Sequence, residues 1–86
     1  MATLIVLHEV DDVDHWAAST KREELFGPLG MTAQTFRDPN HANRVGLIVE
    51  TPSMEAWEDA LKGEAAAEAM KHDGVRPDTI SVLVRA

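Results

Sequence analysis

Branched apolar residues fill both alternating positions of Leu4-Ile5-Val6-Leu7. A strand turns successive side chains to opposite faces, so this segment has to be covered on both sides. Leu47-Ile48-Val49 repeats the pattern, and the run Ile80, Val82, Val84 carries Leu83 and Arg85 on its other parity. A chain of 86 residues must satisfy this demand for two covers within one domain, residues 1–86. A chain of this size buries roughly 60–65% of the surface it exposes when unfolded, near the marginal end of stability. Burial by association would therefore help.

The order of elements follows from caps and breakers. The first strand, Thr3 to Val10, leads to Asp12, an N-cap, with Asp14 in the first turn and Val13, Trp16, Ala17 and Thr20 at three- and four-residue spacing. This helix is expected to run to about Phe26, because Gly27-Pro28 cannot continue it. A second strand, about Met31 to Asp38, and a third, Arg44 to Glu50, flank the polar segment Pro39-Asn40-His41-Ala42-Asn43 and read as an antiparallel hairpin. Pro52-Ser53 opens a second helix with Met54, Trp57 and Leu61 on one face; Gly63 breaks it before an Ala-rich continuation that stops at Gly74. The last strand is expected beyond Pro77.

The two halves echo one another. Leu4-Ile5-Val6 is answered by Leu47-Ile48-Val49, and Asp12-Val13-Asp14-His15-Trp16 by Ser53-Met54-Glu55-Ala56-Trp57. Two β-α-β halves give an α+β chain with βαββαβ order, a four-stranded antiparallel sheet of ferredoxin-like topology. Right-handed crossovers put both main helices on one face. The other face is left bare, and it is apolar. A patch of that kind is larger than soluble monomers usually leave exposed, so a homodimer through the sheet face is expected.

Composition removes several function classes. With no cysteine there is no disulfide, thiolate nucleophile or Cys-based zinc site. Eight basic against fifteen acidic residues give a net charge of −7, which repels phosphate backbones and anionic lipid. No nucleic-acid partner is expected, and the third-strand segment Val45 to Val49 lacks the aromatics of an RNA-binding sheet. The N-terminus has no basic region, and its short apolar run, Leu4 to Leu7, ends at His8-Glu9; it reads as neither signal peptide nor membrane span, so a cytoplasmic location is expected. There is no glycine-rich phosphate loop, nucleophile elbow or motif-placed acid pair. His15, His41 and His72 fall in a helix's first turn, a turn and a helix end; no histidine pair has i, i+4 spacing, so no metal is expected.

The run Leu4-Ile5-Val6-Leu7-His8-Glu9-Val10-Asp11-Asp12-Val13-Asp14-His15-Trp16, with Arg37-Asp38-Pro39-Asn40-His41-Ala42-Asn43-Arg44-Val45 and Ala56-Trp57-Glu58-Asp59-Ala60-Leu61, resembles small members of the dimeric α+β barrel superfamily. In size and layout these are similar to the antibiotic biosynthesis monooxygenase group. The resemblance implies a cavity in each protomer between sheet and helices. Members there carry out cofactor-free oxygenation of aromatic polyketides, aldol-type cyclisation, muconolactone isomerisation, or haem binding and degradation. In the second-helix segment the positions resembling the haem-degrading Trp and His are Ala60 and Met70, so that role is not supported. The quinone-forming members display Tyr, Asn and Trp around the substrate, and this chain has no tyrosine.

His8 is the residue to single out, an imidazole inside an apolar strand and part of the resembling pattern. If it faces the helix side, burial lowers its pKa and leaves a neutral ring able to take or give a proton. The bland alternative is a buried histidine satisfied by backbone or a neighbouring acid. Trp16 and Trp57 stand four residues beyond each cap, as core anchors, substrate-binding walls or both. Arg37 and Glu50, near strand ends, could bind the polar end of a substrate or form salt bridges across the hairpin or dimer edge.

Two functions are therefore in view. One is a small cofactor-independent enzyme, a monooxygenase, cyclase or isomerase, acting on a hydrophobic aromatic or polyketide-like molecule with His8 as the acid/base. The other is a non-catalytic small-molecule-binding or regulatory homodimer, since fold alone does not fix function.

Overall fold

A computed structural model describes residues 1–86. Strand β1 (Ala2–Val10) is followed by helices α1 (Val13–Ala18) and α2 (Lys21–Phe26), a short 3-10 turn, and strands β2 (Thr32–Arg37) and β3 (Arg44–Thr51). Helices α3 (Met54–Lys62) and α4 (Glu64–Asp73) and strand β4 (Val75–Val84) complete the chain. The sheet runs β2-β3-β1-β4, and every neighbouring pair is antiparallel. The expected ferredoxin-like α+β topology is the one observed. No helix is long and apolar enough to cross a membrane.

The caps act where the sequence puts them. Asp12 Oδ1 accepts the His15 backbone N–H at 3.1 Å, and Ser53 Oγ accepts that of Ala56 at 3.1 Å, each satisfying a donor that the helix cannot. Gly63 is extended and separates α3 from α4, and Gly74 ends α4 in the left-handed region at φ 70°. A side chain at Gly74 would be strained and would press on Asp11, whose Cβ lies 3.3 Å from the added carbon.

The first helical segment differs from the expectation of one helix. Ser19 is extended, φ −68° and ψ 139°, and splits it into α1 and α2. Hydroxyls supply the reason: Ser19 Oγ accepts the Lys21 N–H at 3.2 Å and Thr20 Oγ1 donates to Glu24 at 2.9 Å, local bonds that compete with a continuous helix. After the break α2 packs against α4 and β2.

The last strand also differs, beginning at Val75 rather than beyond Pro77. Its pairing with β1 slips, since Leu7 faces Ser81 but Glu9 faces Arg76, so residues 77–80 bulge and His8 has no partner in β4. Pro77 cannot donate to the ladder. Thr79 repairs the gap, its Oγ1 donating to the Arg76 carbonyl at 2.6 Å and accepting the Glu9 N–H at 2.9 Å.

The core lies on the helix side. Leu4, Val6 and Val10 of β1 and Val45, Leu47 and Val49 of β3 are buried there against Trp16, Phe26, Met31 and Trp57. The other face has no cover in the protomer: Ile5 is 43% exposed, Phe36 50% and Leu83 52%. Ile5 lies in register with Ile48 and Leu83, so these form one apolar row across three strands.

Candidate functional site

His8 follows Leu4 and Val6 in the same parity, which turns its ring to the helix side at 5% exposure. The β4 bulge leaves room beside it. A cavity of about 80 Å³ opens there, walled by Val6, Leu47 and Ile80 of the sheet and by Trp16, Phe26, Trp57 and Met70 of the helices. Of its 15 lining residues 12 are hydrophobic; the others include His8, Arg22 and Asp73, which are the groups that chemistry can use.

His8 Nδ1 lies 3.4 Å from the Glu9 carbonyl oxygen, a long contact. A carbonyl only accepts, so this contact holds the ring proton on Nδ1 and leaves the Nε2 lone pair free. Nε2 makes no bond within the chain, yet no buried side-chain N or O atom is left without a partner, so Nε2 is open to the cavity. The ring stands edge-on to Trp16, 5.6 Å between centroids. Burial pushes the His8 pKa below its ordinary value; the Glu9 carbonyl opposes this, and the Arg22 charge adds to it. At neutral pH the imidazole is a base.

Arg22 lies over the Trp16 ring, 4.8 Å from its centroid. Its pKa is lowered, first by burial, while Asp73 and Glu23 act to raise it; the group nonetheless stays charged because an unperturbed guanidinium titrates so high. Asp73, at the end of α4, is buried and accepts a hydrogen bond from His72 Nδ1 at 2.9 Å. The cavity therefore sets one imidazole and one guanidinium, with the Asp73 carboxylate, against an apolar wall; the imidazole can draw a proton from a substrate and the guanidinium can hold the anion formed. Leu25 and Ala69 line both this cavity and a surface groove between α2 and α4.

The sequence-derived candidates divide. His8, Trp16 and Trp57 come together on the cavity wall. Arg37 and Glu50 do not: Arg37 is exposed and pairs with Asp14 of α1 at 3.0 Å, and Glu50 is exposed on the bare face, level with Thr3 and Thr32. Sequence reasoning missed Arg22 and Asp73. Arg22 reaches Trp16 only because Ser19 breaks the helix, and Asp73 in sequence is one more acid of an acidic helix. The Met70 thioether, flexible and able to adapt to what it touches, is a further wall residue.

No family model matches the sequence, and no curated protein matches it. Solved structures do match. One described as an antibiotic biosynthesis monooxygenase aligns over 100% of this chain and 97% of its own, with a TM-score of 0.64 and 14% identity. A Nitrosomonas europaea protein assigned to the same class aligns over 100% and 97%, with a TM-score of 0.68 and 11% identity. Rv0793 from Mycobacterium tuberculosis aligns over 100% and 94%, with a TM-score of 0.59 and 11% identity. The fold of these proteins is the fold of this chain, and the resemblance drawn from the sequence points to the same group.

Proposed function

We propose that the chain is a small cofactor-independent enzyme that removes a proton from a hydrophobic, enolisable substrate of aromatic or polyketide-like type. Proton removal next to a carbonyl or phenol is the first step shared by oxygenation, cyclisation and isomerisation of such molecules. His8 Nε2 takes the proton, the Arg22 guanidinium faces the resulting oxyanion, and Trp16 and Trp57 bound the ring system. The observation that carries this reading is a neutral imidazole with a free Nε2 in an otherwise apolar cavity. The structures bearing the monooxygenase name support it at the level of fold.

The cavity of about 80 Å³ limits the substrate. Ligand sites for drug-sized molecules are about 300–1,000 Å³, so binding a ring system requires Leu25 and Ala69 to part and join the cavity to the groove outside. A homodimer is part of the same proposal. A second copy laid on the row of Ile48, Ile5 and Leu83 would remove the exposed apolar face from water and hold the sheet from behind.

The test uses enolisable phenols and anthrones of graded size, followed by oxygen uptake and product chromatography. Tryptophan fluorescence reports binding, because both tryptophans line the cavity. Wild type is expected to bind and turn over a member of the series, and His8→Gln to bind it with turnover reduced by a factor of about 10²–10⁴, the usual worth of a general base. Binding without turnover in wild type would favour the regulatory alternative. Equal turnover by His8→Gln would remove His8 from the reaction.

A further inference from the structure

Helical spacing finds no histidine pair, but two separate elements make one. His15, in the first turn of α1, and His72, in the last turn of α4, stand 57 positions apart in sequence with ring centroids 5.2 Å apart. Asp73 is beside them. One ligand atom from each of the three lies within 4.8 Å of the others. We propose that His15, His72 and Asp73 form a binding site for a borderline divalent metal ion, with zinc the natural occupant, at the rim of the groove that leads to the cavity.

Three observations support this. The donors are two imidazoles and a carboxylate, a set that suits zinc and its late first-row neighbours and not magnesium or calcium, which take oxygen ligands. The donor atoms are already brought together: His15 Nε2 donates to the His72 backbone carbonyl at 2.8 Å, and His72 Nδ1 donates to Asp73 Oδ1 at 2.9 Å, so Nδ1 and Oδ1 stand at nearly the separation of neighbouring ligands. An ion bound there takes the place of the proton between His72 Nδ1 and Asp73, and each imidazole then carries its proton on the nitrogen turned away from the ion. The location also favours a cation, since His72 and Asp73 end the ten-residue α4, where the helix dipole is negative, in a chain of net charge −7. Arg22 and Lys71 are the opposing charges nearby, and Arg22 is turned onto Trp16.

At the usual metal–ligand distances of 2.0–2.1 Å, tetrahedral neighbours are about 3.3 Å apart. Closing the cluster from 4.8 Å therefore needs rotation of the two exposed imidazoles, with His15 leaving the His72 carbonyl. Three protein ligands leave a fourth position for water. Because Asp73 also lines the cavity and His72 the outer groove, the ion would tie α1 to α4 across that rim and narrow its opening motions.

The full-length chain, stripped with chelator, is titrated with zinc chloride by calorimetry, and with cobalt chloride for the visible absorption of a tetrahedral ion. Wild type is expected to bind one zinc per chain and to melt at a higher temperature with zinc, with no response to magnesium. His15→Ala and His72→Ala, both at exposed positions, should each weaken zinc by about tenfold or more and abolish the rise in melting temperature. His41→Ala, in the β2–β3 turn, should change neither. Absence of saturable zinc binding would overturn the proposal, as would affinity unchanged in both rim variants or lost in His41→Ala.

Discussion

Substituting His8 by Gln gives a prediction about stability that does not depend on knowing a substrate. Burial depresses the His8 pKa below 6.5, the value expected in the unfolded chain. Between the folded value and 6.5 the unfolded chain therefore carries a proton on His8 that the folded chain refuses. Stability is complete above pH 6.5, declines as the pH falls below it, and is flat again below the folded value. One proton is involved, so the slope in that window reaches at most about 1.4 kcal/mol per pH unit. Gln cannot titrate, and the contribution of His8 vanishes with it. Urea unfolding of both proteins at a single concentration, followed by tryptophan fluorescence from pH 8 to pH 5, isolates the effect as a difference. With an m-value of about 1 kcal/mol/M for a protein this small, the wild-type midpoint should fall relative to the variant by up to about 1.4 M per pH unit below 6.5. A wild-type-minus-variant difference that stays constant across the range would refute the reasoning, and one that grows in favour of wild type at acid pH would reverse its sign. Either result would mean that His8 is hydrated or paired with an acid, and the argument for a neutral base in an apolar cavity would go with it.

Two further outcomes are expected. Trp16→Ala should cost about 3–5 kcal/mol, as large aromatic truncations in cores do; chains of this length hold about 4–13 kcal/mol in all, so thermal unfolding by circular dichroism should show a marginal fold, with Trp16→Phe close to wild type. Leu83→Asp puts a charge into the bare apolar row, beside Ile5, without touching the core, and sedimentation at micromolar concentration should show a dimer for wild type and a monomer for the variant; a monomeric wild type would refute the proposed pairing.

Local physics made much of the fold legible. Branched apolar runs mark strands, Asp12 and Ser53 mark helix starts, Gly63 and Gly74 mark breaks, and a chain of two such halves has few ways to arrange four strands. Each of these features acts over a handful of residues, so reading them needs no knowledge of what lies across the molecule. His8 could be singled out on the same basis, as the one polar side chain in a parity otherwise occupied by Leu4, Val6 and Val10. The turn at Ser19 was harder, because hydroxyl bonds to Lys21 and Glu24 compete with helix hydrogen bonds of similar strength.

Other features came only from the tertiary structure. Pro77 signals an irregular strand, but only the pairing of β1 with β4 shows the bulge falling opposite His8 and opening space there. Arg22 approaches Trp16, and Asp73 approaches His15, through the crossing of helices far apart in sequence. The sequence by itself determined the elements, their order and the two-faced greasiness of the sheet, since those follow from side chains a few positions apart. Which polar groups converge on one cavity was decided by the register of the sheet and the angles of four short helices, because proximity between distant segments is set by packing of the whole chain.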